Sequence, residues 1–180
     1  MSPPEQLILR EIQAGDRVTG LSLGDKETTP LKTFLRKCAK DFHQANVART
    51  YVLVPDDEDT TIWGYITLMC SEIKLGNTHT LDDCKAANRY NDFPAVKIAR
   101  LAVDHRIRGR GYGDALVQFA ISIARQDIMP RIGCRFLVAE SKAGALSFYK
   151  RIGFTILNTE NNKERRLPVV FIDLHKLRSN

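Results

Sequence analysis

The 180-residue chain has little cysteine, and the four it has, Cys38, Cys70, Cys84 and Cys134, form no Cys-x-x-Cys pair and have no histidine at zinc spacing. That argues against both a zinc centre and a disulfide framework, and so for reduced thiols and no bound metal. No window approaches the roughly 18 apolar residues of a membrane span. The N-terminus carries no basic patch followed by the apolar stretch of a signal peptide, so the expectation is a soluble, cytoplasmic protein with no membrane partner. Internal repeats, low-complexity tracts and dividing linkers are also missing. One domain over residues 1–180 is expected, a length that suits a single core.

What is present is an ordinary globular composition, 43% hydrophobic and 27% charged, with a net charge of +6. The charge is unevenly placed. Residues 1–95 hold 11 basic and 14 acidic side chains, net −3, whereas residues 96–180 hold 16 and 7, net +9. An anionic ligand or substrate is therefore to be sought in the second half.

The first clear element follows Thr28-Thr29-Pro30, where Thr29 is placed to cap a helix and Pro30 suits its first turn. Leu31, Phe34, Leu35, Cys38, Ala39 and Phe42 then form an apolar stripe to about Gln44, opposite a basic face of Lys32, Arg36, Lys37 and Lys40. Two strand-like runs, Arg49 to Val54 and Thr61 to Ile73, flank the acidic turn Pro55 to Asp59 and predict a β-hairpin. Lys74 to Pro94 reads as a long loop with one helical turn, either facing substrate or simply lying on the surface.

After Pro94 the pattern is strand (Val96 to Val103), glycine loop (Arg106 to Gly113) and helix (Asp114 to Gln126). Ala115, Leu116, Phe119, Ala120, Ile123 and Ala124 form the inward face of that helix. A strand (Cys134 to Ala139), a helix (Lys142 to Ile152) ended by Gly153, and strands Phe154 to Leu157 and Val169 to Leu174 follow. This alternation predicts an α/β fold with a mixed sheet.

Chemistry centres on Arg108-Gly109-Arg110-Gly111-Tyr112-Gly113, between a strand and a helix. Glycines let backbone approach a ligand, and the first amides of a helix favour an anion such as phosphate. The loop is not a nucleotide-hydrolysing P-loop, because no Lys-Ser or Lys-Thr follows its glycines. Nor does it carry the Gly-x-Gly-x-x-Gly dinucleotide fingerprint, since its glycines fall at 109, 111 and 113.

Arg108, Gly111 and Gly113 do fit Arg/Gln-x-x-Gly-x-Gly, which resembles the pyrophosphate loop of the GNAT N-acetyltransferase superfamily. The preceding Ile98 to Val103 and the later Ala145-Leu146-Ser147-Phe148-Tyr149-Lys150-Arg151-Ile152-Gly153-Phe154 extend the likeness. A further likeness spans most of Leu21 to Leu157, through Leu31 to Val47, Arg49 to Leu53, Gly64 to Leu68, Pro94 to Val96 and Arg100 to Val103. There the chain is similar to the tRNA-acetylating GNAT toxins of type II toxin–antitoxin systems.

The resemblance implies a mixed, mostly antiparallel sheet flanked by helices, with splayed strands forming an acetyl-CoA cleft. It also implies acetylation of the α-amino group of aminoacyl-tRNA, blocking translation until a ribbon-helix-helix antitoxin binds. Homodimers are usual among these toxins. Backbone groups of Leu101, Ala102 and Val103 would pair with pantetheine, and amides from Arg108 through Gly109, Arg110, Gly111, Tyr112 and Gly113 to Asp114 would hold the pyrophosphate.

Tyr149 matches the family's general acid, a phenol suited to protonate the leaving thiolate, with Phe148 turned to the core. Many members have asparagine where this chain has Lys142, so an asparagine role is not carried over, although Lys142 could meet a CoA phosphate. Of the flanking arginines only Arg108 matches the motif, and Arg106 and Arg110 are left to meet CoA, RNA or solvent. Glu140, Asp104 and His105 lie near the expected site, but no pattern marks any of them as a base.

Two other functions remain open to the sequence. The same catalytic residues would serve a small-molecule or protein amine, and CoA phosphates alone account for part of the +9. A non-catalytic CoA- or RNA-binding domain is disfavoured by the presence of Tyr149 and by the lack of an evident exposed aromatic platform.

Overall fold

A computed structural model describes residues 3–56, 59–76 and 79–177. Among the described residues seven strands form one sheet, in the order β1-β2-β3-β4-β5-β7-β6. They are β1 (Leu7–Glu11), β2 (Arg49–Pro55), β3 (Gly64–Lys74), β4 (Asp92–Val103), β5 (Phe136–Glu140), β6 (Thr155–Ile156) and β7 (Val169–Asp173). The β1–β2, β2–β3, β5–β7 and β6–β7 pairs are antiparallel and β4–β5 is parallel, which makes the sheet mixed and mostly antiparallel. The β4–β5 ladder runs from Ala95↔Phe136 to Ile98↔Ala139 and stops there, while β4 continues to Val103.

The chain groups into two compact units. The first comprises the chain up to Met69 together with Ala99–Phe119. Its helices α1 (Thr29–Lys37) and α2 (Ala39–Gln44) replace the single helix expected, because Cys38 leaves helical geometry at φ −128°. The ladder nonetheless bridges the break, with Cys38 N–H on the Phe34 carbonyl and Phe42 N–H on that of Cys38. Thr29 is no cap: it lies inside the first turn and donates its hydroxyl to the Lys26 carbonyl at 2.6 Å.

The apolar stripe buries Leu35 and Ala39 against Val52, Val54, Ile62 and Tyr65. Leu35 is only 1% exposed, a burial worth about 1.5–3 kcal/mol. Phe42, at the far end of the stripe, remains 39% exposed. The Tyr65 hydroxyl donates to the Leu31 carbonyl at 2.7 Å and so fastens the start of α1 to β3. The expected hairpin is present, but its second strand starts at Gly64 rather than Thr61, which instead bridges Arg17, and Asp57 and Glu58 of its acidic turn lie outside the described residues.

The second unit comprises Cys70–Ile98 and the chain from Ala120 onward. Phe93, Phe136 and Phe171 meet edge to face at its centre, with ring centroids about 6 Å apart. Ile73, Leu81, Val138 and Leu157 pack around them. The stretch read as a loop after Lys74 contributes Leu75, Leu81 and Phe93 to this core and contains the expected turn, Lys85–Arg89. Asn88 pins it by accepting the Leu81 N–H at 2.8 Å and donating to the Leu81 carbonyl at 3.2 Å.

Helix α3 (Tyr112–Ser122) continues into one wider, π-helical stretch, Ile123–Ile128. Its buried face is Leu116, Val117, Ala120, Ile121 and Ala124. Ala115, expected to face inward, is exposed because that stripe is rotated towards Val117 and Ile121. Helix α4 (Leu146–Arg151) is preceded by a 3₁₀ turn, Ala143–Ala145, and ended by Gly153 at φ +102°, the left-handed geometry that terminates helices.

The short α5 (Glu160–Lys163) and the edge strand β1 are elements the pattern did not predict. Buried Asn162 staples the loop around α5. Its amide donates to the Leu157 and Val169 carbonyls, at 2.8 and 3.1 Å, and accepts the Val169 N–H at 2.7 Å.

Candidate active site

In the first unit the end of β4 passes through half-buried Leu101, buried Ala102 and half-buried Val103 into Asp104, whose side chain is wholly buried. Asp104 Oδ2 accepts the Ser22 N–H and an Arg106 guanidinium N–H, both at 2.8 Å. Its Oδ1 accepts the Arg106 N–H at 3.0 Å and Arg106 Nε at 2.8 Å. Burial alone would raise the Asp104 pKa, but these hydrogen bonds outweigh it and hold the carboxyl below its ordinary value. A carboxylate so occupied is a structural anion rather than a base.

Arg106, left open towards CoA, RNA or solvent by the sequence, is committed here: its guanidinium also lies 4.2 Å from the Trp63 ring centroid. Asp104 caps the turn His105–Ile107, which drives Ile107 into the core at 1% exposure. His105 is exposed, with Nδ1 3.2 Å from the Ser22 carbonyl.

The loop then leaves the core. Arg108, Gly109, Arg110 and Gly111 are exposed, and Gly109 and Gly111 adopt φ of +79° and +83°. Such angles strain any residue with a Cβ. A Cβ at either glycine would have no atom within 4 Å, so the space above the loop is open to a ligand. Helix α3 begins immediately, at Tyr112, with Asp114 in its first turn, and the Gly111 carbonyl accepts the Ala115 N–H.

The first amides of a helix have no partner within it and favour a negative charge, so this loop suits a pyrophosphate. The Arg108 side chain turns back instead: one guanidinium nitrogen donates to the Leu23 carbonyl at 2.9 Å, and Nε lies 3.4 Å from the Val103 carbonyl. In this arrangement Arg108 shapes the loop from beneath.

In the second unit, β5 ends at Glu140, whose Oε1 lies 2.7 Å from Arg165 and 3.4 Å from Lys97. Buried Ser141 follows, its N–H on the Pro168 carbonyl, and then half-buried Lys142. Tyr149 on α4 is 6% exposed and sits edge to face between Phe148 and Phe154, at centroid distances of 5.2 and 5.0 Å. Burial pushes its phenol up to about 12, so the group is a full proton donor at neutral pH. Phe148 is half-buried, contrary to the expectation that it would take the core side; helix α4 turns Tyr149 inward instead.

The sequence missed the partners that organise these residues. Asp104 stands two positions before Arg106, a spacing that could have been noticed, but Ser22 and Trp63 are remote in the chain and nothing marks them.

Residues 21–154 match the family described as the acetyltransferase (GNAT) family. The chain belongs to that family. As a GNAT acetyltransferase it uses acetyl-CoA as donor, and the loop at Gly109 and Gly111 fits that molecule's pyrophosphate, by its positive φ angles and the open space over it.

Among solved structures, this acetyltransferase is similar to a KacT mutant in which a tyrosine is replaced by phenylalanine. The two share 27% identity over 95% of this chain and 96% of that one, with a TM-score of 0.81. It is also similar in fold to AtaT complexed with acetyl-methionyl-tRNAfMet, at 23% identity over 94% and 96% of the two chains, TM-score 0.79. A tyrosine-to-phenylalanine mutant of the AtaT toxin bound to the C-terminus of its antitoxin AtaR matches at 23% identity over 94% of each chain, TM-score 0.75. Among the described residues of this acetyltransferase no helix is long and apolar enough to cross a membrane.

Proposed function

We propose that this acetyltransferase is a toxin that transfers the acetyl group of acetyl-CoA to the α-amino group of aminoacyl-tRNA. The observation that carries the RNA reading is the charge of residues 96–180, net +9, in a chain whose first 95 residues are net acidic. The likeness to AtaT, solved with an acetylated aminoacyl-tRNA, supports it.

Backbone groups of Leu101, Ala102 and Val103 pair with pantetheine. The amides from Arg108 to Asp114 take the pyrophosphate, and Lys142 meets a CoA phosphate. The amine nitrogen attacks the acetyl carbon, an N–C bond forms and the C–S bond breaks. The departing sulfur takes the Tyr149 proton, and the proton lost from nitrogen restores the phenol through water. An α-amine, with an ordinary pKa of about 7.7–8.0, keeps a neutral fraction of roughly a fifth to a third near pH 7.4, far more than a lysine at about 10.4, so the acceptor needs little help from a base. Asp104, spent on Arg106 and Ser22, supplies none.

The partner we infer is a cognate antitoxin of ribbon-helix-helix type whose tail covers basic side chains of residues 96–180, and the toxin works as a homodimer in the cytoplasm. Likeness to AtaT bound to the AtaR C-terminus supports the antitoxin.

The test is incubation of the purified chain with labelled acetyl-CoA and a full set of charged tRNAs at low salt, read by mass spectrometry of the aminoacyl end. Acetylated aminoacyl-tRNA is expected. Turnover of polyamines or protein amines with no charged tRNA modified would assign a different acceptor to the same catalytic residues.

A further inference from the structure

The second unit contains a cavity of about 500 Å³ that the chemistry at Tyr149 does not by itself explain. That volume lies within the roughly 300–1,000 Å³ of ordinary small-ligand sites. Its floor is aliphatic, from Ile73, Val138, Leu157 and Val169. Its rim is charged, with Lys97 from β4, Glu140 from β5 and Arg165 from the loop that Asn162 staples. Glu72 and Lys74 also line it, and Lys74 lies 3.8 Å from Asp92.

The two cations share one carboxylate oxygen, Oε1 of Glu140. Arg165 is 46% exposed and Lys97 27%, so the cluster is wet and its ion pairs are easily exchanged. A phosphodiester offers the guanidinium a two-pronged acceptor, the geometry arginine favours. Asn161, exposed on the same wall, presents an amide with both donor and acceptor for a base edge. Apolar floor, paired cations and an amide together describe a site for one nucleotide.

We propose that this cavity seats the 3′-terminal nucleotide of the RNA acceptor. Base and ribose lie on the aliphatic floor, and Arg165 and Lys97 exchange Glu140 for the terminal phosphodiester. Glu140 is a positioning residue that holds the two cations in place until the phosphate arrives. The inference rests on the aminoacyl-tRNA reading and names where that substrate's end is held. The nucleotide of CoA has similar chemistry; the occupant proposed here is the RNA end.

The test measures binding of the dinucleotide cytidylyl-adenosine to the full chain by titration calorimetry across a salt series. It is repeated for Arg165→Ala, Lys97→Met and Glu140→Gln, with thermal melts to confirm folding. Each cation removal is expected to weaken the dinucleotide about tenfold and to make its affinity less sensitive to salt. Glu140→Gln is expected to tighten it. Unchanged binding in both cation variants overturns the proposal, as does displacement of the dinucleotide by 3′-phospho-ADP or by an acidic peptide.

Acetylation of charged tRNA by the same variants separates the two readings. If the dinucleotide binds through Arg165 and Lys97 but no charged tRNA is acetylated, the function falls and the nucleotide site stands. If tRNA is acetylated with an unchanged KM in both cation variants, the site falls and the function stands.

Discussion

The guanidinium of Arg106 grips the buried carboxylate of Asp104 with two N–H bonds, each 2.8 Å, immediately after β4. Asp104 also accepts the amides of Ser22 and Arg106, so this one side chain ties the strand end, the turn below the glycine loop and a distant segment together. Asp104→Ala strands those amides. Because Arg106 keeps contact with water, the loss should be about 1–3 kcal/mol, the cost of unsatisfied buried groups, and less than the 3–5 kcal/mol of a fully buried broken pair. Urea unfolding of the variant measures it.

The same carboxylate makes a pH prediction. Its folded pKa lies below the ordinary value, so its stabilisation is complete above the unfolded pKa of about 3.9 and drains away as pH falls through the folded value. Asp104→Asn should therefore flatten the acid limb of stability against pH below about 4 and leave the slope near neutrality unchanged. An acid limb as steep as the parent's would assign the loss to other carboxylates.

Gly109 and Gly111 hold φ of +79° and +83°, where an added Cβ meets strain but no neighbouring atom. Replacing either by alanine should cost about 1–2 kcal/mol through the backbone alone. If the loop holds the pyrophosphate, the KM for acetyl-CoA also rises, while the KM for the acceptor amine stays put. Steady-state kinetics with each substrate varied in turn gives the answer.

The glycine loop and the order of strands and helices around it were legible because they depend on local residue types: alternation for strands, three- and four-residue spacing for helices, glycine where φ is positive. The break at Cys38 was not, since the apolar stripe runs unbroken from Leu31 to Phe42 and no glycine or proline within it marks the point where Cys38 leaves helical geometry. Strand β1 was missed because its five residues alternate weakly and its order comes from pairing with β2. At the site, Tyr149 could be singled out by its motif, but its burial between Phe148 and Phe154 depends on how α4 lies in the second unit. Long-range clasps such as Asp104 to Ser22 leave no periodic trace at all.

Asn162 offers a cleaner structural test than any apolar residue. It makes three hydrogen bonds to the backbone at Leu157 and Val169, one at each end of the loop that carries Arg165. Asn162→Ala should lose about 1–3 kcal/mol and expose the amides of residues 157–169 to rapid hydrogen exchange, while the Phe93, Phe136 and Phe171 cluster stays protected. Uniform loss of protection across the unit would show the loop to be no separate element.

Tyr149 gives the sharpest chemical prediction. Its phenol, pushed up to about 12 by burial alone, stays protonated through the physiological range. The rate should therefore rise with pH as the acceptor amine loses its proton, with no decline from ionisation of the phenol through the physiological range. Tyr149→Phe preserves the ring packed against Phe148 and Phe154, so the melting temperature should barely move. Loss of a positioned proton donor should cut kcat by about 10²–10⁴-fold, with the KM for acetyl-CoA nearly constant. A thiol acyl donor whose leaving group is already weakly basic needs that proton less. The gap between wild type and Tyr149→Phe should accordingly narrow as the leaving-group pKa falls. A gap that stayed constant across a series of acyl thioesters would make Tyr149 a packing residue and move the search for the acid elsewhere.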